Sequence, residues 1–246
     1  MKYSTRLPLL ALVVMQLVQP LSSVASFQEE VILLHGTCGT SRRMLALERA
    51  LQNAGYKVRN LDYPSRTASI ETLAENAIGP AVAECERDGA VKIHFVTHSM
   101  SGIMVRNYLA RHPSPLLGRV VMLGPPNQGS EVADKLGRFW LYKKIFGPTM
   151  LELTTDKNSE ANKLGPANFC LGVIAGDRSF NWIHSLVMPG RDDGMVSVER
   201  TRLAGLTDHT VIHTSHHFMV KNREVIRQTV GFLENGRFDH GVAAKR

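Results

Sequence analysis

Residues 92–110 read KIHFVTHSMSGIMVRNYLA, and this stretch decides how the chain folds. Its first part, 92–97, is a mostly apolar run of strand length, and its second part, 101–110, has the apolar spacing of a helix. Ser99 lies between the two. A serine at such a junction is either a polar residue in a tight turn or a nucleophile whose hydroxyl projects from that turn.

The same alternation of strand-like and helix-like segments continues along the chain. The predicted strands are 31–34, 58–63, 92–97, 119–123, 170–175 and 210–214. The predicted helices are 41–54, ended by Gly55, a helix that opens at Ile70 and runs towards Cys85, 101–110, and 223–234. Continuous apolar strands that alternate with helices predict an α/β protein, with a mostly parallel sheet of about six strands and helices on both faces.

The first 25 residues differ from the rest of the chain. Lys2 and Arg6 precede an apolar run over residues 7–18, and small residues follow around Ala25. This order is typical of a secretory signal peptide, and the run is shorter than the roughly 20 residues that span a bilayer. We therefore expect cleavage after Ala25, a periplasmic or secreted protein, and one domain over residues 26–246.

The positive charge does not indicate a nucleic-acid partner. The formal charge of +7 falls to +5 without the predicted signal peptide, and the basic residues are scattered, with Arg42-Arg43 and Lys143-Lys144 as the densest groups. A nucleic-acid-binding surface would gather these residues on one face. A solvated surface, or weak attraction to an anionic membrane surface, explains them at least as well.

The sequence also gives little support for metal or disulfide chemistry. No HExxH pattern occurs among the ten histidines, so neither a metal nor any other cofactor is predicted. Cys38, Cys85 and Cys170 form no CxxC pattern, and an oxidising compartment would permit one disulfide at most. Nothing in the sequence indicates an oligomeric state.

Three kinds of reactive side chain occur after predicted strands, in the order serine, aspartate, histidine. Ser99 follows the third strand, Asp193 comes some way after the fifth, and His216 follows the sixth. Ligands of parallel α/β sheets bind beyond the carboxyl ends of the strands. A serine hydroxyl becomes an effective nucleophile when an imidazole takes its proton and a carboxylate orients that imidazole. These residue types therefore favour nucleophilic catalysis by Ser99.

With these features the sequence resembles the α/β-hydrolase family, and within it the small secreted bacterial lipases and esterases. The matching segments span nearly all of the chain beyond residue 25; they are His35-Gly36, His98-Ser99-Met100, Pro126-Asn127-Gln128-Gly129-Ser130, Asp193-Gly194 and His216. The resemblance implies the α/β-hydrolase fold and hydrolysis of a small-molecule or lipid ester through an acyl-serine intermediate. The family's GxSxG motif is altered, because Thr97 and Ser101 replace its two glycines.

The resemblance also selects the acid and the base. Asp193 directly precedes a glycine, as the family's acid does; Asp192 is then a solvated neighbour, and Asp177 is the alternative acid. His216 is selected as the base because a small loop and a final helix follow it, with His217 as the alternative. His184, His209 and His213 are further candidates, and core or surface roles are expected for His209 and His213, which lie before and inside the last strand.

Two backbone N–H groups are expected to form the oxyanion hole. One belongs to Met100, directly after the nucleophile, and the other belongs to the loop after His35-Gly36, at Thr37. His35 and His98 are expected to have structural roles.

Residues 128–167 interrupt the alternation and form a possible lid-like insertion. The segment is longer than most connections in α/β domains, and its aromatic residues predict a partly helical structure. Phe139, Trp140 and Phe146 are expected to line an acyl-binding wall, and packing in the core is the alternative for them. An acyltransferase with the same three catalytic residues and a non-catalytic binding protein are the alternative functions.

Overall fold

The sheet has the six strands that the sequence predicts. A computed structural model describes residues 28–241. Within them the strands are β1 (Glu29–Leu34), β2 (Lys57–Leu61), β3 (Lys92–His98), β4 (Leu117–Leu123), β5 (Leu171–Gly176) and β6 (Asp208–Ile212). Each overlaps its predicted range and differs from it by at most two residues at either end. The predicted signal peptide, residues 1–25, lies outside the described residues.

All strand pairs are parallel, and the strand order is β2-β1-β3-β4-β5-β6. The chain leaves β1 towards one edge of the sheet, then crosses back to β3 and continues towards the other edge. The carboxyl ends of β1 and β3, paired through Leu34 and Thr97, therefore flank the point where the strand order reverses. Open α/β sheets bind their ligands at this point.

Helices cover both faces of the sheet, as predicted. The longer ones are α1 (Leu45–Asn53), α2 (Ile70–Arg87), α3 (Ser101–Arg111) and α9 (Arg223–Asn235). Side chains alternate between the faces of a strand, so Ile32 and Leu34 pack with α2 and α3, whereas Val31 and Leu33 pack with α1 and α9. Burial on both faces explains why the strands read as continuous apolar runs.

The insertion over residues 128–167 is partly helical, as predicted. Its four short helices are α4 (Glu131–Leu136), α5 (Trp140–Phe146), α6 (Thr149–Glu152) and α7 (Glu160–Lys163), and α8 (Trp182–Ser185) follows β5. Movement of this segment as a lid stays a prediction. No helix within residues 28–241 has both the length and the apolar character needed to span a membrane.

Candidate active site

Ser99 occupies a sharp turn between β3 and α3. Its φ is +61°, a left-handed conformation that is uncommon for residues other than glycine. The Ser99 N–H donates to the carbonyl oxygen of Leu123 at 2.8 Å, which ties the turn to the end of β4. Backbone strain of this kind is often concentrated at functional sites. The side chain of Ser99 is only half-buried, although its neighbours His98 and Met100 are buried.

Asp193 and His216, the predicted acid and base, form a buried, hydrogen-bonded pair. Nδ1 of His216 donates to Oδ2 of Asp193 at 2.7 Å, and both side chains are nearly inaccessible to solvent. The other carboxylate oxygen, Oδ1, accepts from the N–H groups of Met195 and Val196, each at 2.9 Å. The His216 N–H in turn donates to the carbonyl oxygen of Asp193 at 2.9 Å. The two loops are thus held in one register, with Nε2 of His216 left available for another partner.

Neither Asp192, the expected solvated neighbour, nor Asp177, the alternative acid, is hydrogen-bonded to His216. Asp192 is buried rather than solvated, because its Oδ1 accepts from the Ser185 hydroxyl at 3.0 Å and from the Gly194 N–H at 2.8 Å. It therefore shapes the turn that presents Asp193. Asp177 instead forms ion pairs with Arg191 and His213.

His184, His209 and His213 each have a partner of their own. His184 donates through Nδ1 to the Gly194 carbonyl at 2.7 Å and accepts from the Tyr142 hydroxyl at 3.0 Å. His209 lies within 2.9 Å of the Thr201 hydroxyl, and burial lowers its pKa to about 4. His213 pairs with Asp177, and His217 is exposed. Of these side chains, His216 carries the bond to Asp193.

The two expected oxyanion-hole residues lie side by side at the point where the strand order reverses. The Thr37 hydroxyl donates to the Met100 sulfur at 3.3 Å, so the loop after β1 touches the start of α3. Within residues 28–241, neither the Thr37 N–H nor the Met100 N–H has a hydrogen-bond acceptor. Two unpaired N–H groups beside a serine are the arrangement that stabilises a developing oxyanion.

Glycines allow this close approach at two positions. A Cβ atom on Gly36 would lie 3.0 Å from the Ser99 Cβ and 2.9 Å from Nδ1 of His98. One on Gly102 would lie 3.0 Å from the Met122 sulfur. Gly102 thus provides, one residue later, the close packing of helix on strand that a glycine at position 101 would otherwise allow.

Comparison with solved structures assigns the fold. The mature lipase BlEst2 of Bacillus licheniformis superimposes with a TM-score of 0.66 at 19% identity, over 85% of this chain and 93% of that one. The phospholipase PlaB of Legionella pneumophila gives 0.68 at 18% identity, over 85% of this chain and 60% of that one. A Staphylococcus hyicus lipase gives 0.59 at 14%, over 88% and 96%. The chain has the α/β-hydrolase fold. No protein-family model matches its sequence, and no curated protein does either.

Thr97 and Ser101, which replace the two glycines of the GxSxG motif at the turn (the elbow) around Ser99, differ in their hydrogen bonding. The Ser101 hydroxyl lies 2.9 Å and 3.0 Å from the carbonyl oxygens of His98 and Leu34 and accepts from the His98 N–H at 3.0 Å. It therefore joins β1, β3 and α3. The Thr97 hydroxyl is buried and has no hydrogen-bond partner within residues 28–241.

This difference gives a stability prediction. Ser101→Ala is expected to lower the free energy of unfolding by about 1–3 kcal/mol, because it leaves buried polar groups without their partner. Thr97→Val is expected to be neutral or stabilising, because it removes a buried hydroxyl that has none. Urea unfolding of both variants checks this. Equal losses of stability would contradict the unequal bonding of the two hydroxyls.

A cavity in front of the elbow contains both Ser99 and His216. Its polar lining residues include Thr37, Arg43 and His217, and its apolar lining residues include Phe146, Met150 and Leu153. Of the three predicted wall residues, only Phe146 lines this cavity. Phe139 and Trp140 do not line it and are 59% and 71% exposed.

The structure adds one polar contact that sequence reasoning missed. Nε2 of His98 donates to the backbone carbonyl of His216 at 3.0 Å, and the two rings lie 4.7 Å apart. Burial lowers the pKa of His98 well below its usual value, so the ring is neutral. A neutral imidazole is suited to donating this hydrogen bond to the loop that contains His216. The position of His98 next to Ser99 is the one feature of the sequence that points to this contact. Its partner, His216, is 118 residues away in the chain, so the sequence does not identify it.

Proposed function

We propose that the chain is a serine hydrolase that cleaves carboxylic esters, with Ser99 as nucleophile, His216 as base and Asp193 as the acid that orients the base. The observation that carries this proposal is the buried 2.7 Å hydrogen bond between Asp193 and His216. His216 lines the same cavity as Ser99, which lies in a left-handed turn. The neighbours BlEst2, PlaB and the S. hyicus lipase bear the names of lipases and a phospholipase, which agrees with an ester substrate.

The proposed reaction has two stages. Ser99 Oγ attacks the ester carbonyl while Nε2 of His216 takes its proton, and the N–H groups of Thr37 and Met100 stabilise the oxyanion. The C–O bond to the alcohol then breaks as His216 returns the proton to the leaving oxygen. Water, deprotonated by the same imidazole, releases the acid from Ser99. The Asp193 carboxylate orients the imidazole and stabilises the imidazolium that forms.

A fluorophosphonate probe tests the nucleophile directly. A catalytic serine attacks the phosphorus and displaces fluoride, so the parent is expected to gain one adduct on the peptide that contains Ser99. Mass spectrometry locates the adduct, and heat-denatured protein is the control. An unlabelled folded protein, or an adduct on another serine, would sink the proposal.

The acyl part of the substrate is proposed to lie against the insertion. Phe146, Met150 and Leu153 are apolar residues of the cavity lining, which fits an acyl chain. Exposed apolar side chains continue outside it on α5, on α8 and at Phe218. Apolar patches of this kind mark contact sites for partners or lipids. Together they support a lipid or other long acyl ester as substrate.

Phe146→Ala is expected to change acyl-chain selectivity. The ratio of kcat/KM for octanoate over butyrate p-nitrophenyl esters should fall several-fold, because each buried methylene contributes about 0.8 kcal/mol and the longer chain reaches further along the wall. Trp140→Ala is the matched control: its side chain lies on the same helix, is exposed and does not line the cavity. An unchanged ratio in Phe146→Ala, or an equal shift in both variants, would contradict the wall.

A further inference from the structure

Arg43 is a cation in the candidate active site that the proposed reaction does not use. It belongs to a short 3-10 helix, Ser41–Met44, which lies between the loop after β1, where Thr37 is, and α1. Arg43 lines the same cavity as Ser99. Within residues 28–241 its guanidinium forms no ion pair and no hydrogen bond. Arginine presents five N–H donors in a planar fork that suits carboxylate and phosphate groups.

No carboxylate side chain balances this charge in the cavity wall. Among the residues that line the cavity, Arg43 alone is permanently charged, and none is an aspartate or a glutamate. The Asp62 carboxylate, on the loop after β2, lies 3.4 Å from Nε2 of His35 and accepts from the Ser41 N–H at 3.1 Å. It forms no ion pair with Arg43. The positive charge of Arg43 also helps to lower the pKa of His98 and His217, so it acts on the cavity itself.

The chemistry of the cavity lining relates Arg43 to one part of an ester. Phe146, Met150 and Leu153 are apolar residues of the lining, against which the acyl chain is proposed to lie. A hydrocarbon acyl chain carries no charge, so a substrate group that pairs with Arg43 belongs to the alcohol part. A free cation in this cavity therefore favours substrates whose alcohol carries a negative charge.

We propose that Arg43 binds an anionic group, a phosphate diester or a carboxylate, on the alcohol part of the ester, and so makes the enzyme selective for anionic esters. The inference rests on the proposed function. Because a charge-assisted hydrogen bond is stronger than a neutral one, the preference for the anionic member of a matched substrate pair is expected to be on the order of tenfold.

Two matched pairs of soluble substrates measure this preference. The first is 4-butyryloxybenzoate and its methyl ester, which differ by one carboxylate on the alcohol side. The second is dihexanoylphosphatidylglycerol and dihexanoylglycerol, both below the concentrations at which they aggregate. In each pair kcat/KM is compared for the parent, Arg43→Gln, Arg43→Lys and the control Arg42→Gln. Arg42 has the same charge but does not line the cavity.

Arg43→Gln is expected to lower the ratio of kcat/KM for the anionic ester over its neutral partner on the order of tenfold. Arg43→Lys should keep part of the preference, and Arg42→Gln all of it. Loss in one pair alone assigns the anion as carboxylate or phosphate. If Arg43→Gln keeps the preference in both pairs, or loses neutral and anionic substrates equally, the inference is overturned. Hydrolysis that survives Ser99→Ala would instead overturn the proposed function, whatever Arg43 does.

Discussion

Replacing Ser99 with alanine is expected to lower kcat/KM for p-nitrophenyl butyrate by a factor on the order of 10⁴ or more, because no other group at the elbow can form the acyl intermediate. The fold should be retained, since within residues 28–241 the Ser99 side chain makes no hydrogen bond and the backbone bond of Ser99 to Leu123 does not depend on the side chain. Steady-state kinetics give the loss, and far-UV circular dichroism gives the fold. Activity within tenfold of the parent would refute Ser99 as nucleophile.

Ser99→Gly provides a second, independent measurement on the same turn. Both variants lack the hydroxyl, so both should be inactive, but only glycine adopts a φ of +61° without steric cost. Ser99→Gly is therefore expected to unfold at a higher temperature than Ser99→Ala. Equal unfolding temperatures would mean that the elbow stores no strain, which would weaken the structural argument for its function without affecting the kinetic one.

The fold was predictable because its signals are local. The central strands β1, β3, β4 and β5 place buried apolar side chains on both faces, so the run 92–97 reads as mostly apolar sequence, and the turn after it is followed at once by helical spacing. Gly55 ends the first helix in a left-handed conformation, as expected of a helix stop. Polar residues after strands then identify the edge of the sheet where a ligand binds, because parallel strands place all their carboxyl ends together.

The details of the site depend on contacts between distant segments, and sequence periodicity carries no information about those. Asp192 was expected to be solvated, yet Ser185 and Gly194 bind and bury it within the loop after β5. Trp140 and Phe146 belong to one short helix, and only the second reaches the cavity. Arg43 reads as one of a scattered set of basic residues until the fold brings it beside Ser99.

Substitutions at adjacent positions distinguish the roles of the proposed acid and base from those of their neighbours. Asp193→Asn and His216→Ala are each expected to lower kcat by a factor on the order of 10³ or more. An amide at position 193 would donate to Nδ1 of His216 and force the imidazole proton onto Nε2, the nitrogen that must accept the proton of Ser99. The amide oxygen can still accept from Met195 and Val196, so the loop should stay folded.

The matched controls are Asp192→Asn and His217→Ala. An amide at position 192 keeps the oxygen that accepts from Ser185 and Gly194, and the exposed His217 ring is not bonded to Asp193, so each should keep activity within tenfold of the parent. Kinetics and thermal unfolding of all four variants are compared. The opposite outcome is that Asp192→Asn and His217→Ala are the variants that lose activity at unchanged stability. In that case Asp192 and His217 are the acid and the base, and the 2.7 Å bond between Asp193 and His216 is structural. If all four lose activity together with stability, the loops act as one folding unit and the individual roles have to be measured by double-mutant cycles.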